Sequence, residues 1–110
     1  MLRFNSDHKF KIMQIADTQE IPAVSPDTLS LINNALDREK PDLVIFTGDQ
    51  IKGYSKKFKK DPAIIESTID ILVEPIAKRN IPFMVTYGNH DAQCGVDNRG
   101  QYKFYAKYDN

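Results

Sequence analysis

Three short apolar stretches that alternate with two helix-like stretches constrain the fold of this chain more than any other feature. The stretch 9–16 alternates polar and apolar residues, while 42–47 and 81–86 are apolar runs rich in strand-forming residues. Between them, 27–40 and 62–76 repeat apolar residues at helical spacing. Strand-helix-strand units of this length make parallel neighbours through right-handed crossovers. The sequence therefore predicts an α/β fold with one parallel β-α-β-α-β sheet and flanking helices.

Both helices carry start signals, and one carries a break signal. Ser25 ahead of Pro26 is expected to cap the first helix, and Asp61 ahead of Pro62 to cap the second. Pro75 lacks a backbone N–H, so we expect it to kink the second helix or to end its regular part.

Charge, length and cysteine content exclude several classes of protein. The 15 basic and 15 acidic residues cancel, so no overall field favours nucleic acid or an anionic membrane. No apolar run reaches the ~18 residues of a membrane span, and residues 1–11 are too polar for a signal peptide. A single cysteine, Cys94, suits a reducing compartment and receives no role. We expect one cytoplasmic domain over 1–110, with a last short helix packed by aromatic residues within 97–108.

Each predicted strand is followed at once by polar side chains that can bind a metal ion. In chain order they are Asp17 and Gln19, then Asp49, then Asn89, His90 and Asp91. Because parallel strands end at one edge of a sheet, these groups should converge there. Oxygen donors with one imidazole suit divalent ions, and a central carboxylate such as Asp49 could bridge two of them. Taken alone, the segment 88–91 is equally consistent with a polar turn after a strand.

The motifs Asp17-x-Gln19, Gly48-Asp49 and Gly-Asn-His-Asp at 88–91 occur in that order at successive strand ends. This arrangement resembles the first three motifs of the calcineurin-like metallophosphoesterases, which include phosphohydrolases of the Icc type. The resemblance extends from about residue 10 to residue 108. It implies hydrolysis of a phosphomonoester or phosphodiester by metal-activated water.

The resemblance also implies a role for each site residue. Asp17 would bind a first metal ion, Asp49 would bridge both ions, and Asn89 would bind the second. Asn89 and His90 would contact the substrate phosphate, with His90 as electrostatic stabiliser or proton donor to the leaving group. Asp91 would orient His90. The implied cofactors are two divalent ions, for which Mn²⁺, Fe²⁺ and Zn²⁺ are favoured and Mg²⁺ is compatible.

Two departures from the family pattern change what is expected of this chain. Gln19 stands where the family has histidine, so it is either a weak amide ligand or a group that supports one. The family's three further histidines have no counterpart before Asn110, and the other histidine, His8, precedes the first strand. We therefore expect an amino-terminal fragment, about half of the family's αββα sandwich, with an incomplete second metal site. Such a half-domain should be weakly active or inactive, and should self-associate through an uncovered sheet edge or face.

Two alternatives remain open at the level of sequence. A non-catalytic module on the same fold could use the strand-end edge to bind an anion or a protein. The lysine-rich segment 50–60, which also contains Tyr54 and Phe58, could be a solvated loop, a contact for an anionic substrate, or a contact for RNA. Nucleic-acid binding is the weakest of these interpretations because the chain as a whole is neutral.

Overall fold

A computed structural model of the chain describes residues 2–108. It has three strands, three α-helices and two short 3-10 turns. The strands are β1 (Ile12–Ile15), β2 (Leu43–Phe46) and β3 (Phe83–Val85). The helices are α1 (Pro26–Glu39), α2 (Pro62–Ala77) and α3 (Asn98–Ala106), and the 3-10 turns are Lys56–Phe58 and Asp91–Cys94.

The strands form one parallel sheet in the order β1-β2-β3. Ile12 pairs with Leu43, and Val44 pairs with Phe83, so the three strands advance in step toward the same edge. The predicted α/β architecture is therefore confirmed, with β2 at its centre. Each strand is shorter than the apolar stretch that predicted it, because the flanking residues leave the ladder for the connecting loops.

Helix α1 begins where it was expected to begin, but its cap differs from the prediction. Ser25 occupies the N-cap position and Pro26 opens the helix, yet the Ser25 side chain makes no capping hydrogen bond. Lys40 closes the helix with a left-handed backbone, φ 45°. Its N–H donates to the Leu36 carbonyl, which satisfies one of the otherwise unpaired carbonyls at the helix end.

Helix α2 supplies most of the buried apolar surface. The Asp61 side chain accepts from the Ala63 N–H at 2.9 Å, as the capping signal predicted. Four residues at helical spacing are at most 1% exposed and form the centre of the core: Ile65, Ile69, Leu72 and Ile76. Pro75 lies inside the helix, which ends two residues later at Ala77. It therefore marks the last turn, and the lost N–H is tolerated there because few helical bonds remain to be made.

Helix α3 confirms the expected aromatic helix near the end of the chain. Asp97 caps it by accepting from the Gly100 N–H at 2.8 Å. Tyr105 is 6% exposed and its ring lies 6.2 Å from that of Tyr87. Burial, together with the nearby Asp91 charge, raises the pKa of the Tyr105 hydroxyl.

One face of the sheet is covered and the other is exposed. Helix α2 contacts both α1 and α3, and Val44 and Phe46 on the covered face are fully buried beneath the helices. On the opposite face Ile12 and Met84 are 54% and 56% exposed. Self-association through this face stays a prediction. Within residues 2–108, none of the helices combines the length and the hydropathy needed to cross a membrane.

Candidate functional site

The loops that follow β1 and β2 run side by side beyond the sheet. The Asp17 N–H donates to the Gly48 carbonyl at 3.1 Å, and the Gln19 N–H donates to the Asp49 carbonyl at 2.9 Å. Further along, Glu20 forms a parallel bridge with Ile51. These backbone bonds bring Asp17, Gln19 and Asp49 to one edge, as the parallel topology predicted.

Of the eight non-glycine residues within 2–108 that have positive φ values, three lie at this edge. Asp17, Gln19 and Asp49 have φ values of 53°, 40° and 53°, and Gly48 has φ 118°. A non-glycine residue in the left-handed region costs about 1 kcal/mol or more, and such residues cluster at functional sites. Three of the six residues singled out from the sequence are therefore held in conformations that the rest of the fold must stabilise.

Asp91 fastens the loops after β2 and β3 to each other. Its side chain is fully buried and its two oxygens accept from three backbone amides. One oxygen accepts from the N–H of Asp49 at 2.7 Å and of Gly88 at 2.8 Å, and the other accepts from Ile51 at 3.2 Å. A carboxylate that satisfies three buried donors is a strong, directional clamp. Asp91 therefore acts on the shape of the site through the backbone.

Gly88 allows the β3 loop to lie directly against the Asp49 carboxylate. A Cβ atom at Gly88 would lie 2.2 Å from Asp49 Oδ1 and 2.8 Å from the Asp49 backbone nitrogen. Two residues on, the His90 N–H donates to the same Oδ1 at 2.8 Å. The close approach requires glycine at position 88. The other carboxylate oxygen of Asp49, Oδ2, accepts no hydrogen bond from residues 2–108.

The His90 ring is positioned by two residues that the sequence did not single out for this role. Its Nδ1 lies 2.8 Å from Gln93 Oε1, and the Tyr54 ring lies 4.9 Å away, tilted by 60°. Asp91 was expected to orient His90, but its carboxylate accepts from backbone amides, and Gln93 lies against the imidazole instead. The 3-10 turn at Asp91–Cys94 brings Gln93 beside His90, and the three-residue spacing between them is the signal that could have found it.

Glu20 is a further residue that the sequence analysis missed. It is 8% exposed, and its carboxylate accepts from the Ser25 N–H at 3.2 Å and from the Thr28 hydroxyl. The carboxylate thus satisfies the N–H of the N-cap residue Ser25 and holds a side chain of the first turn, although it does not replace the missing Ser25 cap bond. Because Glu20 directly follows Gln19, this contact also ties the β1 loop to the helix.

The Cys94 thiol is buried beneath this site. It is 2% exposed and donates to the Asp91 carbonyl at 3.3 Å. Burial raises the pKa of the thiol, and the nearby Asp91 charge acts in the same direction. Both effects reduce the thiolate population on which reactivity depends.

At pH 8 we expect the folded chain to react with a thiol reagent at least about tenfold more slowly than the unfolded chain. The rate is measured by absorbance with an aromatic disulfide, with and without denaturant. Cys94 is the only cysteine, so the signal is unambiguous. Equal rates in the two states would contradict the buried, protonated thiol.

The polar side chains at the strand-end edge meet the requirements of a metal ion only in part. Asp17, Gln19, Asp49 and Asn89 offer carboxylate and amide oxygens, which suit hard divalent cations. Among residues 2–108, however, no group of three or more His, Cys, Asp or Glu side chains is placed to hold a metal ion. The donor set fits part of an oxygen-ligated site.

The parallel sheet and its polar carboxyl edge define an α/β protein whose candidate site is built on strand-end loops. The model of the calcineurin-like phosphoesterase family matches residues 10–110, and the chain belongs to this family. The resemblance inferred from the motifs is thereby confirmed. The family is one of metallophosphoesterases, which generally use divalent metal ions.

The curated relatives include a protein named as a phosphatase and proteins named as inactive phosphatases. The chain is 28% identical to "Probable inactive purple acid phosphatase 14" of Arabidopsis thaliana over 99% of its own length and 30% of that protein. It is 36% identical to "Phosphatase DCR2" of Saccharomyces cerevisiae over 82% of its length and 17% of that protein. An "Uncharacterized metallophosphoesterase" of Aquifex aeolicus is 28% identical over 81% of this chain and 31% of that protein. The chain thus spans less than a third of each of these relatives.

Proposed function

We propose that this chain carries part of the active site of a metal-dependent phosphohydrolase that cleaves phosphomonoesters or phosphodiesters. The observation that carries the proposal is the position of Asp49. It follows the central strand, its backbone is strained, and the loops from both neighbouring strands bond to it. Strain at a single carboxylate that both neighbouring loops contact is expected where a ligand is bound.

In this proposal Asp17, Asp49 and Asn89 would hold a divalent cation, and Gln19 would be a weak further donor. Mn²⁺, Fe²⁺ and Zn²⁺ are the favoured ions, Mg²⁺ is compatible, and a second ion would need donors beyond this set. A bound cation would lower the pKa of a water molecule and neutralise charge on the phosphate. Asp91 keeps the Asp49 and Gly88 backbones in place while substrate binds.

His90 and Asn89 are the proposed contacts to the substrate phosphate. We assign Nδ1 of His90 as the donor to Gln93 Oε1, which lies 2.8 Å away, and Nε2 as the nitrogen that contacts the phosphate. In the neutral ring Nε2 accepts a hydrogen bond, and only the imidazolium donates from it. Stabilisation of phosphate charge and protonation of the leaving oxygen therefore both require the imidazolium form of His90.

A non-catalytic anion- or protein-binding module is the second candidate. It is favoured by Gln19 in place of histidine and by the incomplete ligand set within residues 2–108. The relatives named as inactive phosphatases are consistent with it. A cytoplasmic location and a single-domain fragment stay predictions under either candidate.

Calorimetric titration of Mn²⁺ into the metal-free chain tests the proposal. We expect binding that Asp49→Asn weakens by at least about tenfold, because a neutral amide is a poor substitute for a carboxylate ligand. The asparagine retains Oδ1 as acceptor for the His90 N–H, so the fold should survive, which circular dichroism checks. Asp37→Asn is the matched control because it removes the same charge. Asp37 lies near the carboxyl end of α1, where it pairs with Arg79.

Turnover of a chromogenic phosphodiester separates the two candidates. Mn²⁺-dependent turnover that is lost in Asp49→Asn and kept in Asp37→Asn supports the phosphohydrolase. Phosphate binding that is unchanged or stronger in Asp49→Asn, without turnover in any variant, supports the binding module, since an anion gains from the removal of a negative charge.

A further inference from the structure

The segment 52–60 places five lysines in nine residues without an acidic residue among them. Lys11, Arg79 and Lys107 form ion pairs elsewhere in the chain. Within residues 2–108, none of the five lysines of this segment pairs with a carboxylate. Their positive charges therefore repel one another, and an anion bound among them would relieve that repulsion.

Three of these lysines line one pocket of about 340 Å³. Lys56, Lys59 and Lys60 share its wall with Tyr54, Ser55 and Gln93. Ammonium groups, a hydroxyl and an amide are the donors that bind phosphate oxygens, and bonds from ammonium are about twice as strong as neutral ones. The volume is sufficient for a phosphate group with its first shell of donors.

The backbone that carries the lysines is anchored to the core. Phe58 lies between them in sequence and is 1% exposed. Lys59 and Lys60 have left-handed backbones, φ 52° and 50°, and the Lys60 stem packs beside Gly95. The buried Phe58 ring holds the backbone from which these lysines extend, so binding an anion does not also require the backbone to become ordered.

Two of the residues that line the pocket also contact the His90 imidazole. Gln93 lies in the pocket wall and contacts Nδ1 of His90 at 2.8 Å. Tyr54 lies in the same wall with its ring 4.9 Å from the His90 ring, and it is 51% exposed. Lys52 Nζ lies 5.2 Å from the Tyr54 ring centre, which adds a further positive charge at this boundary.

We propose that this pocket is a second anion subsite, which binds a phosphate group other than the one being cleaved. The inference rests on the proposed function for its placement beside the reaction. It narrows the substrate class to phosphate esters that carry a second phosphate on the leaving group. His90 would then lie between the two phosphates, and Tyr54 would contact the part of the molecule that joins them.

The pocket can be tested without metal and without turnover, by titrating inorganic pyrophosphate into the metal-free chain. We expect binding that the triple variant Lys56→Gln, Lys59→Gln, Lys60→Gln weakens at least about tenfold, since each lost charge-assisted bond costs roughly a factor of ten. The matched control replaces three exposed lysines outside the pocket, Lys9→Gln, Lys78→Gln and Lys103→Gln, with the same change in net charge. It should bind pyrophosphate as the unmodified chain does.

Amide chemical shifts locate the bound pyrophosphate and decide between outcomes. Shifts confined to 54–60 and Gln93 support the pocket, whereas shifts at 17–19 would place the anion at the metal edge and overturn it. Equal weakening in both triple variants would show a response to net charge alone, and would also overturn it. Tighter binding of single-stranded RNA than of pyrophosphate, lost in the pocket variant, would replace the small-molecule subsite with a nucleic-acid surface.

Failure of the subsite and failure of the proposed function give different results. Pyrophosphate binding that the pocket variant loses, in a chain that binds no Mn²⁺ or whose Mn²⁺ affinity is unchanged by Asp49→Asn, retains the pocket and rejects the hydrolase site. The opposite result is turnover in which the pocket variant has the same preference as the unmodified chain. If kcat/KM for a bisphosphorylated ester, relative to that for a monophosphorylated one, does not fall in the pocket variant, the hydrolase is retained and the subsite is rejected.

Discussion

Replacing Asp91 with alanine is expected to lower the free energy of unfolding by about 4 kcal/mol or more, because three backbone donors lose their acceptor in a buried site. The donors are the amides of Asp49, Ile51 and Gly88, and the bonds from Asp49 and Ile51 are buried. Domains of this size are stable by about 5 to 15 kcal/mol, so the variant should be close to unfolding at room temperature. Urea denaturation followed by circular dichroism measures the loss.

Two further variants distinguish the clamp from a general effect of removing a carboxylate. Asp97→Ala also removes an acceptor of a backbone amide, but Asp97 is an exposed helix cap, and the expected loss is about 1 kcal/mol. Asp91→Asn keeps the shape of the side chain but turns a donor toward one of the amides, so it should lie between the two alanine variants. Similar losses for Asp91→Ala and Asp97→Ala would contradict the role assigned to Asp91.

Replacing Gly88 with alanine is expected to abolish Mn²⁺ binding at the strand-end edge. The added methyl would lie 2.2 Å from Asp49 Oδ1 and 2.6 Å from its Cγ, so the carboxylate must leave its present position. The Asp49 backbone nitrogen at 2.8 Å adds a clash that side-chain rotation cannot relieve. Overpacking of this kind costs roughly 1 to 3 kcal/mol of stability in addition to the displaced ligand.

Gly100→Ala is the control for this substitution. A methyl at Gly100 would lie 2.8 Å from Val96 Cγ1 and 3.3 Å from Asp97 Oδ1, so only side-chain atoms must move. Alanine also favours the helix in which Gly100 lies by about 1 kcal/mol. Mn²⁺ titration and urea denaturation of both variants separate loss of the site from loss of the fold. Retained Mn²⁺ affinity in Gly88→Ala would show that Asp49 is not the ligand.

The fold was predictable because its signals are local and agree with one another. Apolar alternation marked β1, Asp61 ahead of Pro62 marked the start of α2, and connection length fixed the parallel direction of the strands. The meeting of the Asp17, Asp49 and His90 loops at one edge followed from that direction alone. Element ends were less predictable, since the ladder stops where loop residues such as Asp17 adopt left-handed conformations that no periodicity signals.

The internal support of the candidate site was not predictable from the sequence. Asp91, beside a histidine, was assigned to that histidine, but two of its three partners lie 40 and 42 residues away in the chain. Glu20 gave no signal because a buried carboxylate depends on which backbone amides the fold leaves unpaired nearby. Tyr54 was grouped with its lysine neighbours, and its ring lies near Lys52, but its contact with the His90 ring had no signal in the sequence. Such contacts are decided by tertiary packing.

The Asp91 clamp also has a consequence for the order in which the site forms during synthesis. Asp91 is made 42 residues after Asp49, an interval of roughly 2 to 8 seconds at ribosomal rates. During that interval the amides of Asp49 and Ile51 have only water to bond to, even if β1 and β2 have already paired. A nascent chain therefore cannot present an ordered ion-binding edge until the third strand and its turn have emerged. Cations in the cell thus meet this edge only after the part of the fold that shapes it is complete.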